Sequence, residues 1–453
     1  MRFNRRSFIR CASLAAAGNV AGLRPFGAIN GFAQSAPGYK ALVCIFLYGG
    51  NDSSNTIVPF NTAANGSNGY SAYAGIRGPL ALAANTLLPL GAGAAGNYGL
   101  HPSLPNTQAL FDSGNAAIVA NVGTLMQPLT PAQYQAGTLP TPTNLFSHPD
   151  QQLEWQNAAQ SGATSTGWAG RIADILTPTY NPSAQIPLIT SVFGDTVFCN
   201  GAATSPVAVD PGNLAGGECS EGGACAGRLA TAQQLITFTS GLSLVQADNG
   251  ITSNAYQYMG ILANAVQSVA PLTTAFPANN SLAAQLQQIA QIIQVQQALG
   301  VNRQIFFAGL GNFDTHSAQL TIQAGLLSQL DAALAAFYQA TQALGVASQV
   351  TSFTMSDFSR AFQPNSNTGS DHAWGGHHIV MGGAVKGGQL YGTFPELVLG
   401  GPNDSGVNGR WVPTIASSQY DATLASWFGV PSASLNSVFP SLANFTTTNL
   451  GFV

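Results

Sequence analysis

Residues 41–52 read ALVCIFLYGGND, and the fold class follows from how that stretch is patterned. Ala41 to Tyr48 is a near-continuous apolar run. It lacks the polar alternation of a strand with one wet face, so it reads as a strand buried on both sides. Strands of that kind belong to parallel sheets covered by helices. The run ends in Gly49-Gly50-Asn51-Asp52, a turn that delivers Asp52 at the strand's carboxyl end.

Further apolar runs at Ala116–Val122, Ile186–Val192, Arg303–Leu310 and Gln349–Met355 read as strands, with a short one at His378–Met381. Helical patterns lie between and after them: 104–111, a helix introduced by Ser147 and running through Ala158, then 228–236, 255–269, 283–299, 319–344 and 420–429. In the stretch 283–299, Leu, Ile and Val recur at helical spacing against a Gln-rich face. Residues 60–100 and 126–143 read as irregular. The strand–helix alternation predicts an α/β layered domain with a mostly parallel central sheet. Neither an internal repeat nor a linker interrupts it. Residues 36–453 are therefore expected to form one domain, with a Gly/Pro-rich insertion near 202–227.

Composition narrows the function. Only 7% of the 453 residues are charged, against about 25% in an ordinary soluble chain. Asn, Gln, Ser and Thr carry the polarity instead. The abundant Leu, Ala, Val, Ile and Phe argue against intrinsic disorder. Basic residues cluster nowhere outside the first ten, which argues against a nucleic-acid partner.

Those first residues have their own meaning. Asn4-Arg5-Arg6-Ser7-Phe8-Ile9-Arg10 resembles a twin-arginine export motif. The mild apolar run after it, Cys11 to Leu23, is too short and too rich in Ala and Gly to span a bilayer. Ala33 and Ser35 stand at the spacing of a signal-peptidase site, so residues 1–35 read as a signal peptide cleaved before Ala36. The expected partner is the twin-arginine export machinery, and the expected location is periplasmic or extracellular. No membrane span is expected in the mature chain. Cys44 and Cys199 then read as inert core thiols. Cys219 and Cys225, in a Gly-rich loop, are expected to pair as a local disulfide in an oxidising compartment.

Ionisable groups are scarce enough that their placement matters. All six histidines (His101, His148, His316, His372, His377 and His378) lie in or near turns, and three of them fall between Thr354 and His378. Asp52, Asp314 with His316, and Asp357 each follow a strand at its carboxyl end. In a parallel sheet those ends converge on one edge, so distant segments can build one site. Nitrogen and oxygen ligands without thiolate suit zinc or manganese, with calcium or magnesium favoured only if carboxylates dominate. Ser147 fits two roles equally: an N-cap of the following helix, or a nucleophile held where free N–H groups favour an anion.

The ordered motifs FLYGGND, HPSL, SHPDQQLEW, GWAGR, NFDTH, SDFSR and DHAWGGHH resemble those of an exported bacterial family, the domain-of-unknown-function 1501 family, from Lys40 to Phe452. That family is similar to the alkaline phosphatase and sulfatase superfamily. The resemblance implies a three-layer α/β/α sandwich, a two-metal site, a nucleophile at a helix start, and hydrolysis of a phosphate or sulfate ester. Carried onto this chain, it implies Asp52, Asp314, His316 and Asp357 as metal ligands, with His372 or His377 supplying further imidazoles. Ser147 becomes the nucleophile candidate, His148 a ligand or acid–base group, and Arg360 a clamp for an ester oxygen. Phe358 follows Asp357 where the superfamily has a histidine. Two functions are therefore expected: an exported metal-dependent ester hydrolase, or a non-catalytic binding or assembly protein on the same fold.

Overall fold

In chain order the strands are β1 (Lys40–Leu47), β2 (Ile57–Pro59), β3 (Leu88–Pro89), β4 (Tyr98–Leu100), β5 (Ala116–Gly123) and β6 (Ile189–Ser191). They continue with β7 (Val207–Ala208), β8 (Arg303–Leu310), β9 (Val350–Ser356), β10 (Gly376–Gly382), β11 (Leu390–Gly392) and β12 (Ile415–Ala416). This computed structural model describes residues 38–60, 69–91, 95–159, 164–214, 224–237 and 241–453. The main sheet has nine strands in the order β11-β5-β10-β9-β1-β8-β6-β7, with β12 also paired to β5. β10 runs antiparallel to both its neighbours, and the other pairings of this sheet are parallel. β1 lies inside the sheet, with Leu47 opposite Leu310 of β8 and Ser356 of β9. Three parallel strands thus end side by side, which is what brings their following loops together.

The unbroken apolar pattern of β1 feeds two separate cores. Ala41, Val43, Ile45 and Leu47 face one, with Leu286 and Ile289 of helix α3 (Ser281–Gln294) and Leu327, Leu330 and Phe337 of α4 (Gln319–Ala343). Leu42, Cys44 and Phe46 face the other. There they meet Trp155 of α1 (His148–Asn157), Trp168 and Ile172 of α2 (Trp168–Tyr180), and Tyr420 and Leu424 of α5 (Ser417–Phe428). Each such fully buried side chain contributes on the order of 2 kcal/mol by leaving water. α4 is long and apolar enough to cross a membrane by length and composition. In this structure its apolar side chains complete the first core instead.

Several elements differ from the sequence reading. β10, expected to start at His378, extends back to Gly376, which places His377 inside a buried strand rather than in a loop. The glycine ahead of it explains the course: a Cβ at Gly375 would stand 2.2 Å from Asn121 Oδ1. The stretch 60–100, read as irregular, contains a helix at Tyr70–Arg77 and most of a three-stranded antiparallel sheet made by β2, β4 and β3. Its strands are two or three residues long, too short to show a period. The helix expected over 283–299 stops at Gln294. Cys44 and Cys199 are buried free thiols, as expected, and burial pushes Cys199 up to about 12. The signal peptide, the Cys219–Cys225 pair and part of the 202–227 insertion lie outside the described residues.

Candidate metal centre

The loop after β1 has to lie flat against the loop after β8. Gly49 makes this possible: its φ is +109°, and a Cβ there would stand 2.4 Å from the Asp314 backbone nitrogen. Only glycine meets both demands without strain. Phe313 N–H donates to the Tyr48 carbonyl at 3.0 Å, which fixes the two loops in register. The loop after β9 is tied in by Gly49 N–H, which donates to Asp357 Oδ1 at 3.1 Å.

Three imidazoles converge on Asp314. His148 Nε2 stands 3.5 Å from Asp314 Oδ2, His372 Nε2 3.4 Å from Oδ1, and His316 Nε2 3.0 Å from Oδ1. His148, Asp314 and His372 each present one ligand atom within 4.8 Å of the others. His316 Nε2 lies 3.0 Å from His372 Nε2. Every ring is oriented from behind. His148 Nδ1 meets Asp357 Oδ2 at 2.7 Å, His372 Nδ1 meets the Phe146 carbonyl at 2.7 Å, and His316 Nδ1 meets Asp371 Oδ1 at 3.3 Å. A carbonyl only accepts, so His372 carries its proton on Nδ1 and turns a lone pair inward from Nε2. The same polarity holds for His148, whose buried Nε2 has no hydrogen-bond partner. Lone pairs aimed at a carboxylate repel unless a cation sits between them. Histidines anchored through one nitrogen and presented through the other have the arrangement expected of metal ligands.

Charge around the cluster follows its geometry. The hydrogen bond to Asp357 raises the His148 pKa, with burial opposing it. Burial lowers that of His372, with the Phe146 carbonyl opposing. Burial alone would raise Asp314, but the hydrogen bond and charge of Arg360, with His316 and His148, hold it below the usual carboxylate range. The three remaining histidines are elsewhere in the fold. Burial lowers His101, His377 and His378 to about 4, about 3 and about 4. His377 accepts from Asn121 N–H at 3.0 Å and stacks on Phe394, so it takes no part in the cluster.

Of the other residues singled out in the sequence, Asp314, His316, His372 and His148 come together, and Asp357 stands behind His148. Asp52 sits apart from them. It caps the single helical turn Ser53–Thr56, accepting from Ser54 N–H at 3.0 Å, and pairs with Arg77. Arg360 is fully buried; it donates to Asp314 Oδ1 at 2.7 Å and to the Gly49 and Ser370 carbonyls. An arginine so committed positions Asp314 and cannot reach out to clamp an ester. Ser147 occupies the N-cap position of α1, but its side chain makes no capping hydrogen bond.

Sequence reasoning missed Arg77, Gln152, Gln319 and the Phe146 carbonyl. Gln152 was the most findable: it stands four residues after His148 on one helix face, and donates to the same Asp357 oxygen at 2.8 Å. Arg77 lay in a stretch without periodicity and gave no signal.

Residues 39–404 match the family described as Protein of unknown function (DUF1501), and the chain belongs to that family. No curated protein matches. Among solved structures the chain is similar to Ps i-CgsB, at 10% identity and a TM-score of 0.38 over 91% of this chain and 77% of that one. Ps i-CgsB in complex with k-i-k-neocarrahexaose gives 10% identity and 0.34 over 89% and 76%. A mutant of the alkaline phosphatase PafA gives 11% identity and 0.26 over 72% and 64%.

Proposed function

We propose that this protein is an exported metal-dependent hydrolase of phosphate or sulfate esters, built as the three-layer α/β/α sandwich that its sequence resemblance implies. The observation that carries the reading is the convergence of three imidazole Nε2 atoms on Asp314, each ring held from behind. Imidazole-rich ligation favours zinc or manganese over calcium or magnesium. When bound, such an ion supplies Lewis-acid polarisation of an ester oxygen. Asp357 accepts a hydrogen bond from Nδ1–H of His148 and the Phe146 carbonyl one from Nδ1–H of His372, so that both rings keep the opposite nitrogen facing the ligand. The rim is open to substrate, with the side chains of Asp314 and His316 each 45% exposed and that of Asp371 53% exposed.

Ser147 is the nucleophile in this reading. It lies between Phe146 and His148, both of which touch the cluster, and its hydroxyl is not spent on capping. The N–H groups at the start of α1 favour an anion there. Ser147 Oγ forms the bond to phosphorus or sulfur, the ester bond to the alcohol breaks, and the serine proton leaves with that alcohol. Water then cleaves the seryl ester and restores the hydroxyl. Export through the twin-arginine route rests on Arg5 and Arg6 in the sequence.

One observation favours the second reading, a binding or assembly protein with a structural metal. Arg77 and Arg360 are both buried against carboxylates, so neither is free to hold an ester, and Arg410 lies stacked on the Phe146 ring. The two readings separate in one experiment. The purified mature protein is assayed on aryl phosphates and aryl sulfates before chelation, after it, and after adding back zinc or manganese. Turnover lost on chelation and restored by metal supports the hydrolase. Bound metal without turnover on either ester rejects it in favour of the binding protein.

A further inference from the structure

We propose that this chain binds one divalent cation per molecule, held by His148, Asp314 and His372 with His316 at its exposed side, and that the Arg77 guanidinium replaces a second cation beside Asp52. The inference rests on the metal-dependent reading above and departs from the two-ion site that the sequence resemblance implies.

A second ion would need ligands, and the candidates are already taken. Asp52 Oδ1 accepts from Ser54 N–H at 3.0 Å and Asn55 N–H at 3.3 Å, while Oδ2 receives Arg77 Nη2 and Gln319 Nε2. Both partners of the Asp52–Arg77 pair are fully buried. Arg77 is anchored on its far side, where Nη1 donates to the carbonyls of Ala361 at 3.2 Å and Phe362 at 3.1 Å. It is therefore a fixed positive charge at the point where a carboxylate would otherwise face a metal. A buried carboxylate already neutralised and hydrogen-bonded in this way gains little by exchanging partners. Asp357 is engaged as well: Gly49 N–H donates to its Oδ1 at 3.1 Å, and His148 Nδ1 and Gln152 Nε2 bond its Oδ2 at 2.7 and 2.8 Å. His377 lies within β10 and accepts from Asn121.

The first site has the opposite character. Its histidines turn lone pairs inward, and the buried His148 Nε2 has no hydrogen-bond partner. Nitrogen and oxygen ligands of a tetrahedral zinc, at about 2.0–2.1 Å from the ion, stand roughly 3.3 Å apart. The spacings here are 3.5 Å from His148 to Asp314 Oδ2, 3.4 and 3.0 Å from His372 and His316 to Asp314 Oδ1, and 3.0 Å for His316–His372. One ligand atom each of His148, Asp314 and His372 lie within 4.8 Å of one another. With His148, Asp314 and His372 as the three protein ligands, the fourth position faces the half-exposed His316 and solvent, the pattern of a catalytic rather than a closed structural zinc site.

The test is stoichiometry, which needs no substrate. Metal-free full-length mature protein is titrated calorimetrically with zinc chloride, and the metal content of the reloaded protein is measured after gel filtration. One zinc per chain is expected, falling at least tenfold in affinity in His148→Ala and in His372→Asn. Two tight zinc ions per chain would overturn the single-ion inference while leaving the metal-dependent reading intact. No tight zinc or manganese would overturn the reading on which it rests. One zinc retained unchanged in both variants, with their folding checked by circular dichroism, would overturn the ligand assignment.

Discussion

Ser147 stands at the N-cap of α1 without capping it. A serine that capped would be worth about 1 kcal/mol, so Ser147→Ala is expected to move the melting temperature very little. If the hydroxyl is the nucleophile, the same change lowers kcat roughly 10³-fold or more. Turnover and melting are measured on one preparation; unaltered turnover removes the serine from the mechanism. A second residue of α1, Glu154, makes a pH prediction. Burial pushes its carboxyl up to about 7, against hydrogen bonds from Thr143 N–H and Gln151 that favour the charged form. Folding therefore retains a proton that the unfolded chain releases near its ordinary value of 4.5. The stability linked to Glu154 is complete below that value and is lost as pH rises towards 7, by at most about 1.4 kcal/mol per pH unit. Glu154→Gln is expected to flatten this slope in urea melts between pH 5 and pH 8; an unchanged slope assigns it to other groups. The residues of the cluster were legible because they follow apolar strands or open a helix. The fate of Asp52 was not, because it depends on Arg77 and Gln319, the latter 267 positions away.

At the level of elements, β1 and β8 were legible because strands buried on both faces have no polar alternation to blur them. Only the second half of β10 was, from His378 to Met381, because a histidine such as His377 looks solvent-facing until burial is known. The helix Pro105–Asp112 shows a different limit. Its N-cap residue, Leu104, offers no side-chain cap. Asp331 of α4 supplies one from across the core, accepting from Thr107 N–H at 2.7 Å and Asn106 N–H at 3.2 Å, with further bonds to both side chains. No local pattern could reveal a cap 224 positions distant. Asp331→Ala leaves buried donors unpaired and is expected to cost roughly 3 kcal/mol, whereas Asp331→Asn keeps one acceptor and should cost roughly 1 kcal/mol. Denaturant melts of the two variants give the comparison. Equal losses would show that the single acceptor kept by Asn contributes nothing to the cap.

Over the whole molecule, two further predictions follow from where the few charges lie. Arg5 and Arg6 are the basis for expecting export, and changing both to Lys should hold the full-length precursor in the cytoplasm; fractionation that finds it still exported would remove the twin-arginine reading. In the rest of the chain, every ion pair among the described residues is either Asp52–Arg77 or part of the His–Asp cluster. With only 7% charged residues, the surface has little electrostatic stability for salt to screen. Melting should therefore be nearly independent of sodium chloride between low and physiological ionic strength. Metal should behave differently, because a ligand that binds only the folded state stabilises it by mass action, by about 2.7 kcal/mol at a hundred times its Kd. Zinc added to the metal-free protein is expected to raise the melting temperature by several degrees, and a chelator to reverse the change. The effect should vanish in His148→Ala, which removes an inward-facing nitrogen, and persist in Lys386→Ala, whose ammonium bonds a distant carbonyl at Gly451. A shift equally large in both variants would mean that zinc acts somewhere other than at Asp314.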